Sequence, residues 1–504
     1  MGGVSCSAME GNNLQTTVTN LYQDFYALRK ECLTQGHLFC DPDFPAGPKS
    51  LGYKELGPNS AKASRVEWKR PKELCSNPQF IIDGATRTDI CQGELGDCWL
   101  MAAIASLTLD KDILARVIHP EQNFMDNYAG IFHFRLWQYG QWVDVVIDDS
   151  LPTRNGNLLF VHSVEKNEFW SALLEKAYAK VNGSYEALSG GLATEGFVDF
   201  TGGIAERYKL STAPPNLFSI MQKALKQGSL LSSSISPRSA NEKEGKTQED
   251  LVTTHAYSIT GAEEVHMGES KVELVRLRNP WGHIEWNGTW SDDSKEWDQI
   301  LPEEKAKLDH SADDGEFWMA FSDFVQRYSV LEICNLTPDA SSSEDVGQWN
   351  LYKFDGSWKV GSTAGGCSNY PATFSSNPQF VITFDHSDHN GSQICSVLVD
   401  LMQKGRRRER EQGCDYNFIG FAIYKVPDKR KGTPNVHLGH DDLQHLNPVA
   451  ESTFINSREV CERFKIPPGE YIIIPSTYEP NHEGSFLLRV FSEKQTTFSS
   501  TRPC

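Results

Sequence analysis

The sequence lacks several patterns that would place it in a specialised class. Its 12 cysteines contain no Cys-x-x-Cys pair, so neither a zinc ribbon nor a dithiol redox motif is indicated. No apolar run approaches the roughly 18 residues of a membrane-spanning helix. The opening, MGGVSCSAMEGNN, lacks the apolar core of a signal peptide. We therefore expect a cytoplasmic protein with reduced thiols.

Positive charge is also scarce. The chain has 48 Lys and Arg against 67 Asp and Glu, a net charge of −19. Such a chain repels nucleic acid, and no basic module offsets this, so we expect no nucleic-acid partner. Surplus carboxylates suit hard cations such as calcium, yet the sequence has no D-x-D-x-D-G loop of an EF-hand.

The 504 residues are enough for about three domains. Apolar periodicity predicts helices over 21–32, 98–107 and 169–181, the last with one buried face, and a strand over 142–147. Later runs predict strands at 255–260, 271–277 and 317–321, so this second part is mostly β. Gly202-Gly203 is a candidate hinge before it, and the polar segment 339–345 a domain boundary. Beyond it, runs at 379–384, 418–425, 471–475 and 486–491 have the spacing of a β-sandwich.

One cysteine stands at the start of a predicted helix. In ICQGELGDCWLMAAIASL, Cys98 follows Asp97, a plausible N-cap, and opens a run without Gly or Pro. A helix N-terminus favours the thiolate, which is the nucleophilic form of cysteine. By position alone, a structural cysteine at the head of a core helix is the commoner arrangement, so both interpretations stay open here.

Two downstream residues supply the partners that a nucleophilic cysteine needs. His255, in TTHAYSI, lies 157 residues after Cys98 (255 − 98), and Asn279, in RNPWG, lies 24 residues further on (279 − 255). In papain-type proteases the His and Asn follow the Cys by about 130–150 residues. A single strand His or an Asn-Pro turn is usually structural, but the three in this order predict a catalytic triad.

The segments QGELGDCWLMAAIASL, TTHAYSITG, RLRNPWG and DGEFWMAFSDF resemble the calpains, which are calcium-dependent cysteine proteases. The resemblance runs over about residues 53–491. It implies an α+β chain: a papain-like two-lobed protease core, with a helical first lobe and a β-rich second lobe, followed by a C2-like antiparallel β-sandwich. The predicted domains are an N-terminal extension (1–45), the Cys lobe (46–202), the His/Asn lobe (203–338), the sandwich (346–494) and a tail (495–504).

The resemblance also assigns roles around Cys98. Cys98 would attack the scissile carbonyl, His255 would hold the thiolate as an imidazolium pair, and Asn279 would orient the imidazole. Gln92 would donate its amide to the oxyanion, and Trp281 would shelter the His–Asn bond from water. Taken singly, Gln92 is a turn residue and Trp281 a core residue, so these two roles rest on the family pattern.

Two calcium ions in the protease core are implied as well. The first site maps to Asp89 and Glu168 with the carbonyls of Ile82 and Gly84; the second maps to Glu285, Asp292, Asp314 and Glu316 with the carbonyl of Ala312. Arg87 would pair with Glu316 and couple the two sites. Without the family pattern, the acids of the second set are an ordinary solvated face.

These assignments predict a calcium-activated endopeptidase that makes limited cuts in proteins, with calcium aligning the two lobes. Two alternatives remain: a catalytically silent adaptor with a protease-like scaffold that binds calcium and phospholipid, and a papain-like hydrolase that ignores calcium. The intact residues Cys98, His255, Asn279 and Gln92 disfavour the first, and the paired carboxylate sets disfavour the second.

Partners beyond protein substrates follow from the C-terminal part. The resemblance makes anionic phospholipid a candidate ligand of the C2-like domain, with membrane association on a calcium rise. The run Lys404-Gly405-Arg406-Arg407-Arg408-Glu409-Arg410 could contact head groups, or it is a solvated strand edge. Calpain large subunits continue into a penta-EF-hand domain that binds a small subunit. The sequence stops at Cys504, so the resemblance does not extend to small-subunit dimerisation.

Overall fold

The chain contains both α-helices and β-strands. The computed structural model describes residues 22–119, 121–236, 245–308, 314–336, 350–384, 395–433, 436–492 and 496–501. Contacts divide it into two compact units: residues 22–138 with 142–336, and residues 139–141 with 350–501. The predicted boundary at 339–345 lies outside the described residues. In the described part of the chain, no helix combines the length and the apolar character needed to cross a membrane.

The helices of the first unit include all three that the apolar pattern predicts. Those of seven or more residues are α1 (Phe25–Gln35), α2 (Cys98–Leu107), α3 (Lys111–Val117), α4 (Trp170–Asn182), α5 (Ala193–Thr201), α6 (Leu217–Lys226) and α7 (Phe321–Arg327). Helices of four or five residues span Pro48–Leu51, Pro71–Leu74 and Pro302–Lys305 in the first unit. In the second unit they span Pro371–Phe374, Arg406–Glu409 and His440–Gln444. The prediction of a single buried face on α4 is wrong. Residues 170–181 are all buried, because neighbouring segments enclose this helix on every side.

The first unit contains three antiparallel groups of strands. Its strands are β1 (Glu67–Lys69), β2 (Ile131–Gln138), β3 (Gln141–Asp148), β4 (Leu151–Arg154), β5 (Asn157–Leu158), β6 (Ile204–Lys209), β7 (Leu230–Ser234), β8 (Ala256–Met267), β9 (Ser270–Arg278), β10 (Glu316–Ala320) and β11 (Val330–Asn335). The largest group is a six-stranded sheet in the order β10-β9-β8-β7-β11-β6. α2 packs against β7 and β8 of this sheet and against α5. The predicted hinge lies in the short link between α5 and β6.

The second unit is built from two antiparallel sheets. Its strands are β12 (Asn350–Trp358), β13 (Gln379–Phe384), β14 (Cys395–Gln403), β15 (Phe418–Lys425), β16 (Ala450–Glu451), β17 (Ile455–Asn456), β18 (Glu459–Ile466), β19 (Gly469–Thr477), β20 (Gly484–Ser492) and β21 (Thr496–Thr501). One sheet has the order β12-β20-β14-β18 and the other β16-β15-β19-β13-β21, with β17 beside β15. Val399 and Leu488 of the first sheet share a hydrophobic core with Ile423 and Ile473 of the second.

The expectation of reduced thiols is wrong at one position. Eight cysteines of the described residues are free, but Cys414 is disulfide-bonded because the fold brings a second sulfur within bonding distance of it.

Candidate active site

Cys98 is the first residue of α2, as predicted, and only 9% of it is exposed. The carbonyl of Asp97 accepts hydrogen bonds from the N–H groups of Leu100 (2.8 Å) and Met101 (3.1 Å). The prediction that the Asp97 side chain caps the helix is wrong, because this side chain makes no capping hydrogen bond. The carboxyl turns away from the helix end toward Glu175 of α4.

The hairpin of β8 and β9 brings His255 and Asn279 together. His255 directly precedes β8 and Asn279 directly follows β9, and these two strands pair antiparallel with Ser258 opposite Arg278. The open end of the hairpin, where the start of β8 and the end of β9 lie side by side, therefore carries both residues. His255 Nε2 lies 2.8 Å from Asn279 Oδ1, and both side chains are buried.

The hydrogen bonds of Asn279 fix which ring nitrogen of His255 carries the proton. Asn279 Oδ1 accepts from the backbone N–H of Trp281 (3.1 Å), and Nδ2 donates to the carbonyl of Ile284 (3.0 Å). A backbone N–H can only donate, so the atom facing Trp281 must be the amide oxygen. His255 Nε2 must then donate to the same oxygen. In the neutral ring, Nδ1 is therefore the basic nitrogen.

Backbone strain lies next to both members of this pair. Thr254, immediately before His255, has φ +54°, and Ile284, whose carbonyl receives the Asn279 amide, has φ +68°. Both are β-branched residues in the left-handed region, a conformation that costs roughly 1–3 kcal/mol at each position. The surrounding hydrogen bonds offset that cost, as is common where a fold holds a functional group in place.

Two aromatic rings line the His255 imidazole. The ring of Trp281 is 4.6 Å from it and tilted by 46°, and the ring of Tyr257 meets it edge-on at 5.3 Å. Burial raises the pKa of Tyr257, and nearby Cys98 adds to that rise. Tyr257 is thus a neighbour of both His255 and Cys98, although Cys98 is 157 residues (255 − 98) from His255 along the chain.

Gln92 is held in place by two segments that are far apart in the chain. Its side-chain Nε2 donates to the carbonyl of Leu95 (2.6 Å), and its backbone N–H donates to the carbonyl of Pro280 (3.1 Å). Pro280 directly follows Asn279, so this backbone bond joins the Gln92 segment to the segment that carries Asn279. An amide nitrogen has two protons, and one N–H of Gln92 remains beyond the bond to Leu95.

Arg87 makes another bond between residues that are far apart in the chain. Its Nη2 lies 2.5 Å from Oε2 of Glu316, the first residue of β10. The other Glu316 oxygen accepts from the hydroxyl of Thr260 (2.6 Å), and Arg276 approaches it to 3.6 Å. Thr260 and Arg276 were not found from the sequence, because nothing in a strand pattern shows which side chains surround one carboxylate.

The first predicted calcium set contains two buried acids close to each other. Glu168 Oε1 accepts from the backbone N–H of Ile82 (2.7 Å), and Asp89 Oδ2 accepts from that of Thr86 (2.6 Å). Burial, with a further contribution from Asp89, raises the pKa of Glu168 to about 7. Two carboxylates that repel each other in a buried place fit a divalent cation. Gly84, with φ +97°, lies between Ile82 and Thr86 in the chain.

Two residues of the second set line an open groove. This depression of about 640 Å³ is lined by residues 285–296 except 290, including Glu285 and Asp292. Glu285 Oε1 accepts from the N–H of Gly315 (2.7 Å), and Asp314 Oδ1 accepts from that of Glu316 (2.9 Å). Ala312 lies outside the described residues. Oxygen ligands from several loops around a groove fit calcium, although Glu316 is already bonded to Arg87 and Thr260.

Another group of possible metal ligands occurs in the described residues. His119, His133 and Asp144 each place one ligand atom within 4.8 Å of the others. The two imidazole rings are stacked 4.3 Å apart at 6°, so their in-plane lone pairs run parallel and do not converge on one ion. Arg135 also lies 3.5 Å from Asp144. We assign no metal to this group.

Comparison with known proteins gives a consistent result. Residues 39–335 match the model of the calpain family cysteine protease, and residues 354–491 match that of calpain large subunit, domain III. The chain is 58% identical to the calpain-2 catalytic subunit of Mus musculus over 490 residues, covering 96% of this chain and 70% of that protein. It is 59% identical to that of Homo sapiens over 484 residues (95% and 69%) and 57% identical to calpain-8 of Homo sapiens over 491 residues (96% and 70%).

Proposed function

Since the chain belongs to the calpain family of calcium-activated cysteine endopeptidases, we propose that Cys98, His255 and Asn279 form its catalytic triad. The observation that carries this proposal is the double constraint on Asn279. Its bonds to Trp281 and Ile284 orient the amide, and the amide leaves Nδ1 of His255 as the base.

The chemistry follows from these positions. Nδ1 of His255 takes the proton of Cys98, and the thiolate attacks the scissile carbonyl carbon, forming a C–S bond and an oxyanion. His255 then gives its proton to the leaving amine as the C–N bond breaks, which leaves a thioester on Cys98. Water, deprotonated by His255, attacks that thioester and releases the new carboxyl terminus.

Two donors are available for the oxyanion. The N–H of Cys98 lies in the first turn of α2, where backbone N–H groups have no partner within the helix. The second donor is the remaining N–H of Gln92, whose side chain is oriented by its bond to Leu95. Loss of one such donor typically slows turnover by about 10²–10³-fold. The ring of Trp281 lies 4.6 Å from that of His255 and limits access of water to the hydrogen bond between His255 and Asn279.

For calcium, we propose two ions in the protease core. Asp89 and Glu168, with the carbonyls of Ile82 and Gly84, would hold the first. Glu285, Asp292, Asp314 and Glu316, with the carbonyl of Ala312, would hold the second. Bound calcium supplies positive charge that offsets the repulsion among these carboxylates. Arg87 lies beside Asp89 in the sequence and bonds to Glu316, so it would link a movement of one set of ligands to the other.

The boundaries of the domains are part of the same proposal. We take residues 46–202 and 203–338 as the two lobes of a papain-like core, preceded by an N-terminal extension (1–45). Residues 346–494 would form a C2-like β-sandwich, followed by a tail (495–504). Two antiparallel sheets that share one hydrophobic core support the sandwich. Protein substrates and a cytoplasmic location complete the proposal.

Phospholipid binding has less support. Of the predicted basic run, Arg407 is only 5% exposed, and Arg406 pairs with Glu409 at 2.5 Å. Lys404 pairs with Asp355. A cation that is buried or already paired attracts a lipid head group weakly, so these contacts favour the structural interpretation of the run.

Casein cleavage tests the catalytic proposal. Cleavage is measured with calcium, with a chelator, and with a Cys98→Ser variant; Cys40→Ser, which changes an exposed thiol, is the matched control. We expect calcium-dependent cleavage that Cys98→Ser abolishes and Cys40→Ser keeps. Equal cleavage under chelation would favour a calcium-independent hydrolase, and no cleavage in any condition would favour a silent adaptor.

A further inference from the structure

Two buried acids lie directly behind the proposed nucleophile. Asp97, on the N-terminal side of Cys98, is 1% exposed, and so is Glu175 of α4. Their carboxyl groups are within hydrogen-bonding range of each other. The sequence pattern does not identify this pair, because it predicts a helix cap at Asp97 and shows Glu175 only as a polar residue between apolar positions.

The hydrogen bonds around the pair are incomplete if both acids are ionised. Glu175 Oε2 accepts from the N–H of Val161 (3.2 Å). Among the described residues, no N–H or hydroxyl group donates to Glu175 Oε1 or to either Asp97 side-chain oxygen. Buried polar atoms in native proteins nearly always have a partner, and an orphaned buried carboxylate is costly. A proton held between the two carboxyls supplies the missing donor.

We propose that Asp97 and Glu175 share a proton and act as positioning residues, which fix the start of α2 and limit the negative charge next to Cys98. This inference rests on the proposed role of Cys98 as the nucleophile. An ionised Asp97 would oppose a thiolate on the adjacent residue, at the very helix end that otherwise stabilises it.

The electrostatics of the pocket agree with this assignment. Burial raises the pKa of Asp97 to about 7, and burial together with Asp97 raises the pKa of Glu175 well above its usual value. As coupled acids they titrate as a pair. The pair is thus neutral in mild acid and carries one negative charge at higher pH, while a second charge is strongly disfavoured.

The other ionisable groups facing the pair do not titrate near neutral pH. The Tyr185 hydroxyl, also buried, has a raised pKa because of burial and then of Glu175, Asp148 and Asp97. Asp148 is paired with Lys176 of α4, whose Nζ lies 2.7 Å from Oδ1. A step in the alkylation rate of Cys98 near neutral pH that is lost when Asp97 is replaced is therefore attributable to the pair.

The experiment measures the rate at which chloroacetamide, an uncharged reagent, alkylates Cys98 in the calcium-loaded full chain from pH 4 to 9. In wild type, the rate should show an extra step near neutral pH. In Asp97→Asn the position next to Cys98 carries no charge at any pH, and the new amide donates to Glu175. The extra step should vanish, and the acid limb should match wild type, in which the pair is neutral in mild acid.

The double variant Asp97→Asn/Glu175→Gln carries no charge in the pair. Its acid limb should match wild type, and the extra step should again be missing. Glu332→Gln is the control, because Glu332 is a buried acid with a raised pKa that accepts instead from Ser232, 3.0 Å away. If Asp97→Asn does not fold, the double variant replaces it, with the same expected loss of the step.

The outcomes separate this inference from the proposed function. Profiles of Asp97→Asn and wild type that differ only by a uniform factor would show a structural role alone and would overturn the proton-sharing pair. If wild-type Cys98 is not alkylated selectively and casein is not cut, the proposed function fails instead. Wild-type cleavage with the neutral step retained in Asp97→Asn overturns this inference alone.

Discussion

Arg87 and Glu316 form an ion pair between distant segments of the first unit, with Nη2 and Oε2 2.5 Å apart. Glu316 is 9% exposed and Arg87 is half-buried, so solvent screens the pair less than a surface salt bridge. The pair joins residues 229 positions apart and adjacent to both predicted calcium sets.

Removing this ion pair should weaken the coupling between the two calcium sets. In Arg87→Ala we expect a roughly tenfold higher calcium concentration for half-maximal casein cleavage, equivalent to about 1.4 kcal/mol, and a lower Hill coefficient. The control Lys271→Ala removes an exposed ion pair to Glu264 and should behave as wild type. Wild-type cooperativity in Arg87→Ala would rule out the coupling.

Asn279→Ala should disable the histidine without unfolding the lobe. His255 then loses the acceptor that fixes its tautomer, so casein turnover should fall roughly 10²–10⁴-fold. Asn369→Ala, which removes an exposed amide bonded to the Tyr478 hydroxyl (3.3 Å), is the matched control. Turnover in Asn279→Ala within tenfold of wild type would contradict the assigned role.

A buried lysine should hold the N-terminal part of the first unit in place. Lys180 Nζ donates to Asp41 (2.7 Å), Gln23 (2.6 Å) and the carbonyl of Val146 (2.7 Å). Lys180→Met leaves the Asp41 carboxylate buried without its cation, a loss of about 3–5 kcal/mol. Hydrogen exchange of peptides covering residues 22–45 should show the loss.

The double variant Lys180→Met/Asp41→Leu removes the charges together and should recover most of that protection. Exchange as fast in the double variant as in the single one would show that the lysine contributes through its shape and packing rather than through its charge.

His133 should make α1 sensitive to acid. Its ring is stacked between Phe25 of α1 (3.9 Å) and His119 (4.3 Å). Burial first, and then His119, Arg135 and Arg29, lower the pKa of His133 to about 3. In the unfolded chain, where the His pKa is about 6.5, the imidazole is protonated at pH values at which the native ring stays neutral. Stability from the neutral ring is therefore complete above pH 6.5 and is lost as the pH falls toward 3.

Between pH 6.5 and 5 this loss should reach about 2 kcal/mol. Hydrogen exchange of peptides from α1 and β2, corrected for the intrinsic pH dependence, measures it. His133→Phe keeps the stack and should remove the dependence, whereas His445→Phe, at an exposed position, should not. An acid response that persists in His133→Phe would assign it to another group.

Much of the secondary structure follows from local patterns. Uninterrupted apolar residues after Cys98 predict α2, and β-type runs predict β13 and β15 with their observed bounds, because these signals depend on neighbours a few positions away. The pattern did not single out β2 and β11, which are buried along most of their length, or β6, which is buried over its first half.

In the candidate site, too, some features are evident from the sequence and others only from the structure. The order and spacing of Cys98, His255 and Asn279 single them out in the sequence, since nucleophilic catalysis requires these residue types whatever the fold. The tautomer of His255 is different, because it depends on the bonds of Asn279 to Trp281 and Ile284.

The sequence by itself determined the residue types that carry the chemistry and the family to which they belong, because the reaction constrains those types directly. Only the tertiary structure decided that Asp97 faces Glu175 instead of capping α2, that Lys180 and Arg407 are buried, and that Glu316 bonds to Arg87 and Thr260. Burial and pairing depend on residues far apart in the chain, and short-range sequence patterns do not contain that information.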